Sequence, residues 1–169
     1  MQFLNTIFHQ FNLKGFFFGW FFLFCILIYG CMNELQNLLQ WHFLAMMLLI
    51  IHAILFLQSG LDKVTDYQGN LGWLKGHFSK TVFKGMVPML LIAITILEIS
   101  SGLFSLGGAL MMLADYEPFW GKLGAMLSLI SLSCLFLGQR IAKDYAGAAS
   151  LVPYMLLAAF TYGVLQFIS

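Results

Sequence analysis

Of the eight Lys/Arg and seven Asp/Glu in this 169-residue chain, Glu98 alone falls inside a long apolar run. A carboxyl at the centre of a hydrocarbon layer costs roughly 2.5–3.5 kcal/mol on insertion scales, so it needs a partner, a proton or water. The expected partner is His52. Counted at about 1.5 Å per residue from the charged connection 61–85, Glu98 lies ~15 Å deep and His52 ~12 Å deep. A contact between them satisfies both groups. It would also serve as a proton relay or as a grip on a polar ligand head, and a purely structural pair fits the same residue types. Thr95, Glu98, Ser101 or Gly102, and Ser105 share one helical face, as do His52 and Ser59, so a polar seam is expected between two helices. Lys63, Lys75 and His77 then line its mouth, with Asp62 and Trp73 completing the ligand or proton candidates.

Other chemistries find little support. Haem needs two mid-membrane ligands on facing helices, and His52 stands alone, because His42 falls at an outer edge and His9 and His77 in connecting segments. Cys25, Cys31 and Cys134 form no C-x-x-C pair and no Cys/His cluster, so no metal site is expected. There is no phosphate loop, nucleophile elbow or second buried carboxylate for a di-iron centre. A net charge of +1 leaves no basic face for nucleic acid.

The elements that must hold these residues follow from composition. With 61% hydrophobic and 9% charged residues, the chain cannot clothe a soluble globule, and the bilayer is its solvent. About 20 apolar residues cross the hydrocarbon as a helix, and five such runs are expected: 15–32, 42–60, 87–113, 122–138 and 149–167. The first is too long for a signal peptide and has no A-x-A site after it, so it reads as a retained helix. With the N-terminus inside, Lys14, Lys63, Lys75, Lys80, Lys84, Arg140 and Lys143 are cytoplasmic and only Lys122 is outside, as the positive-inside rule favours. The C-terminus is then periplasmic.

Within the connection 61–85, Leu71, Leu74, Phe78 and Val82 recur at helical spacing. They predict a short amphipathic helix in the headgroup region, anchored by Trp73 and capped by Asn70. Pro88 suits a helix start. Small residues at four-residue spacing mark packing faces: Ser101, Ser105 and Ala109; Gly121 and Ala125; Ala159 and Gly163. Pro153 is expected to bend the last span and aim Tyr154.

The stretch Ser59-Gly60-Leu61-Asp62-Lys63, with Gly69-Asn70-Leu71-Gly72-Trp73-Leu74-Lys75-Gly76-His77-Phe78, resembles the DoxX family, in particular its Bacteroidetes-type members. Pro88, the run Thr95-Ile96-Leu97-Glu98 and Gly102 resemble the family's next span. Arg140, Asp144 and Pro153 extend the likeness less specifically toward residue 168. The resemblance implies an all-α polytopic membrane bundle: a DoxX-like four-helix unit over 42–169, preceded by an extension, 1–41, that carries one extra N-terminal transmembrane helix. It also implies a quinone-linked redox setting, since relatives are associated with a terminal quinol oxidase and a thiosulfate:quinone oxidoreductase. It supplies no catalytic residue.

Three functions fit these expectations. The leading one is a non-catalytic accessory subunit of a larger bacterial inner-membrane complex, with other integral membrane subunits and membrane lipids as partners. The second is a quinone- or lipid-binding oxidoreductase with its polar site between the second and third spans, the bound quinone or lipid being the sole cofactor-like group in view. A small proton-coupled carrier ranks last, because five spans show no inverted repeat.

Overall fold

Two Asp-Tyr-x-Gly sequences set where helices restart in the computed structural model, which describes residues 39–114 and 118–168. Asp66 Oδ1 accepts from the backbone N–H of Gly69 at 3.1 Å, and Asp144 Oδ1 from that of Gly147 at 2.8 Å. Each carboxylate satisfies an orphan donor of a helix's first turn. These caps begin α2 (Tyr67–His77) and α5 (Tyr145–Phe167). The remaining helices are α1 (Leu39–Thr65), α3 (Val87–Met112) and α4 (Phe119–Ile141). The expected run 15–32 lies outside the described residues.

Helices α1, α3, α4 and α5 hold 23 to 27 residues each and are apolar enough to cross a bilayer. At about 1.5 Å per residue they are roughly 35–40 Å long, more than the hydrocarbon requires. Large apolar side chains such as Phe43, Ile54, Ile96, Leu110, Leu156 and Phe160 stay exposed on them, as a hydrocarbon solvent demands. The chain is a multi-pass helical membrane protein.

Contacts along the helices fix their directions. Residues near 108, 105 and 101 of α3 meet those near 121, 124 and 128 of α4, so the numbers rise along one helix as they fall along the other. The same inverse register relates α1 to α3 through Gly60 with Ile99 and Leu57 with Gly102, and α1 to α5 through Trp41 with Phe167. The four long helices are therefore antiparallel neighbours. At the end remote from α2 their core is Leu48, Leu49, Ala109, Ala125, Val164 and Leu165; deeper along, Phe56, Leu132 and Ala158. Helix α2 closes the other end, where Leu71 packs with Val87 and Leu91.

Several expectations need correction. Helix α1 does not stop at Gly60 but runs to Thr65, because no proline or competing cap interrupts it before Asp66. Asn70 is not the cap of α2; its amide donates to the carbonyls of Asp62 and Asp66. Val82 is 82% exposed and lies beyond the end of that helix. Ser101, Ser105, Ala109, Gly121 and Ala125 are buried as expected, whereas Ala159 and Gly163 face outward. Pro88 sits at the start of α3 and Pro153 inside α5, both where the sequence placed them.

Helix α4 ends in a backbone turn that ordinarily takes glycine. Lys143 adopts φ 61°, while the N–H of Asp144 donates to the carbonyl of Gln139. A non-glycine residue in this left-handed conformation is strained by about 1–2 kcal/mol. Lys143→Gly is expected to stabilise the bundle by about 1 kcal/mol, read as a raised thermal midpoint in detergent.

Candidate functional site

Close approach of α1 and α3 builds the site. A Cβ on Gly60 would lie 2.6 Å from Ile99 Cγ1 and one on Gly102 2.9 Å from the backbone N of Leu57, so the two helices cross almost backbone to backbone. Glu98 sits at this crossing, 1% exposed. Ser59 and Lys63 stand one turn apart on the facing side of α1. Because Cα–Cβ bonds tilt toward a helix's N-terminus, Lys63 reaches back from the end of α1 into the bundle instead of out toward headgroups.

The result is a closed polar cluster. Lys63 Nζ lies 2.8 Å from Glu98 Oε2 and 3.1 Å from Oε1. It also donates to Ser59 Oγ at 2.8 Å and to the Ser59 carbonyl at 3.2 Å, and Ser59 Oγ donates to Glu98 Oε1 at 3.2 Å. The hydrogen bonds from Nζ go to Oε1, Oγ and the carbonyl, which uses all three ammonium donors. Oε2 keeps the ion-pair distance but accepts no aligned hydrogen bond.

Two cavities flank this cluster, both touching Leu135. The outer one, about 240 Å³, is enclosed by α2, α3 and α4 and lined by Lys63, His77, Gln139 and apolar side chains including Phe78, Leu91 and Leu135. The inner one, about 170 Å³, is lined by His52, Ser59, Glu98, Tyr154 and a leucine wall. A charged pair with apolar space on both sides suits an amphiphile, whose head finds donors and acceptors and whose body finds leucine and phenylalanine.

His52 and Glu98 do not form the expected pair. His52 Nδ1 donates to the Leu48 carbonyl at 2.8 Å, and its ring stacks on Phe56. Since Gly60 faces Glu98 Cβ, His52 stands eight residues, about 12 Å, farther along α1. The depth estimate failed because α1 continues five residues beyond Gly60, which moves His52 deeper. Both residues nonetheless line the inner cavity. No family model matches this chain, nor does any curated protein or solved structure.

The other candidates divide. Lys63 and Ser59 hold Glu98, a pairing the sequence left unassigned although their four-residue spacing puts them on one helical face. His77 lines the outer cavity, and Trp73, 60% exposed, stacks on it at 4.7 Å. Asp62 and Lys75 are exposed and stand apart from the cluster. Gln139, which no motif marked, accepts from His77 Nε2 at 3.0 Å and ties α2 to α4 over the outer cavity. Removing that tie with Gln139→Ala is expected to raise amide exchange in α2 about fivefold, the equivalent of one hydrogen bond.

Among the described residues, no three His, Cys, Asp or Glu side chains converge as metal ligands.

Proposed function

We propose that this chain is a DoxX-like inner-membrane protein that binds the polar head of a quinone or lipid at the Lys63–Ser59–Glu98 cluster. The observation that carries this reading is the buried ion pair set between two largely apolar cavities. A structural ion pair alone would be packed over by side chains; here both faces of the cluster border space. The N-terminus is cytoplasmic, the run 15–32 adds a fifth crossing, and the C-terminus is periplasmic, in keeping with Lys63, Lys75, Lys80, Lys84, Arg140 and Lys143 at one end of the bundle.

In this role Lys63 and Ser59 orient Glu98, the cavities exclude water from the ligand's body, and α2 covers the outer approach. Membership in a larger quinone-linked complex is the second reading. One observation favours it: Ala159 and Gly163, four residues apart, face out of the bundle on α5, where small residues admit a close helix from another integral subunit.

Purification of the full chain from native membranes in mild detergent, with mass spectrometry of copurifying chains, quinones and lipids, tests both readings. Stoichiometric quinone or lipid, lost in the double variant Lys63→Met/Glu98→Gln, is the expected result. Ligand content unchanged in that variant rejects the binding site. A monomer free of copurifying chains rejects the subunit reading.

A further inference from the structure

The inner cavity offers acceptors at both ends and almost nothing that donates. At one end Glu98, 1% exposed, has Oε2 free of any aligned donor, while Ser59 spends its hydroxyl proton on Oε1. At the other end His52, also 1% exposed, commits Nδ1–H to the Leu48 carbonyl. With the proton on Nδ1, the neutral ring presents a lone pair at Nε2. No hydrogen bond to Nε2 joins the described residues. Leu55, Phe56, Leu132 and Leu157 wall the space between.

Size narrows the occupant. An apolar cavity of about 150 Å³ takes a benzene-sized molecule, and this one measures about 170 Å³. One six-membered ring with small substituents fills it. Helical rise separates the two acceptor ends by about 12 Å, so a single hydroxyl cannot serve both, whereas hydroxyls on opposite sides of a ring divide the work. An oxidised ring bearing two carbonyls would set acceptors against acceptors, leaving buried polar groups unpaired on both partners.

We infer that the inner cavity selects an aromatic ring carrying hydroxyl donors on opposite sides, one donating to Glu98 and the other toward His52, over the corresponding dicarbonyl or ether. The inference rests on the amphiphile-binding reading and assigns its inner subsite.

The test uses the full chain in lipid nanodiscs and ¹⁹F NMR with 4-fluorophenol and 4-fluoroanisole, which differ in the donor. The wild type is expected to bind the phenol about tenfold more tightly, the value of one buried hydrogen bond. Glu98→Gln places an amide N–H₂ where Oε2 stood and is expected to bring the ratio near one. Hydroquinone, read by displacement of 4-fluorophenol, is expected to lose severalfold affinity in His52→Phe, while 4-fluorophenol itself is unaffected. Helical circular dichroism and a monodisperse elution profile confirm that each variant is folded.

Equal binding of phenol and anisole to the wild type, or a preference that survives Glu98→Gln, overturns the inference. So does binding of neither probe. Hydroquinone affinity unchanged in His52→Phe overturns the two-ended arrangement. None of these outcomes touches the extraction of quinone or lipid from native membranes, which judges the broader reading by itself.

Discussion

Lys63→Met is expected to destabilise the bundle by about 3–5 kcal/mol, the cost of leaving a buried carboxylate without its cation. Glu98 is 1% exposed and draws its hydrogen bonds from Lys63 and Ser59 alone. Glu98→Gln is expected to cost much less, because Lys63 is 17% exposed near the end of α1 and its flexible stem lets the ammonium turn toward headgroups. Combining the two changes removes both charges and is expected to recover most of the loss from Lys63→Met. Equilibrium unfolding in mixed micelles gives all four corners of this cycle. Additive losses would show that the 2.8 Å contact carries no coupling and that Glu98 is supported some other way.

The same cluster shows what a linear sequence reveals. A lone carboxylate in an apolar run marks itself, so Glu98 was legible as the centre of any site. Its partner was not, because Lys63 follows Gly60, where the apolar run ends, and a lysine at such a place ordinarily reaches outward. The direction of its Cα–Cβ bond and the continuation of α1 to Thr65 turn it inward instead. Four spans were legible from hydropathy, since length and apolarity suffice for that, and Val87–Met112 agrees with the expected 87–113 within one residue. The facing surfaces were only half legible. Nothing in the four-residue spacing of Ala159 and Gly163 distinguishes them from Gly121 and Ala125, yet the first pair faces out and the second is buried. In a membrane both faces of a helix are apolar, so hydropathy no longer reports which one is inside.

Gly107 and Gly108 turn that ambiguity into a measurement with opposite outcomes at adjacent positions. A Cβ on Gly108 would collide with the backbone of Gly121, whereas one on Gly107 would meet nothing within 4 Å. The obstruction at Gly108 is main chain and cannot swing aside as a side chain does. Gly108→Leu is therefore expected to push α3 from α4 and destabilise the protein by about 3 kcal/mol, toward the upper end of overpacking costs. Separation of these helices also breaks the bonds that lock their register: Ser101 Oγ to Ser128 Oγ at 2.6 Å, and both hydroxyls to the Gly124 carbonyl. The crossing that holds Glu98 lies on the same α3, so ligand retention is expected to fall along with stability. Gly107→Leu adds only apolar surface to open space and is expected to stay within about 0.5 kcal/mol of the wild type. Thermal unfolding of both variants in one detergent decides the matter, and equal effects at the two positions would mean that α3 and α4 do not meet along this face.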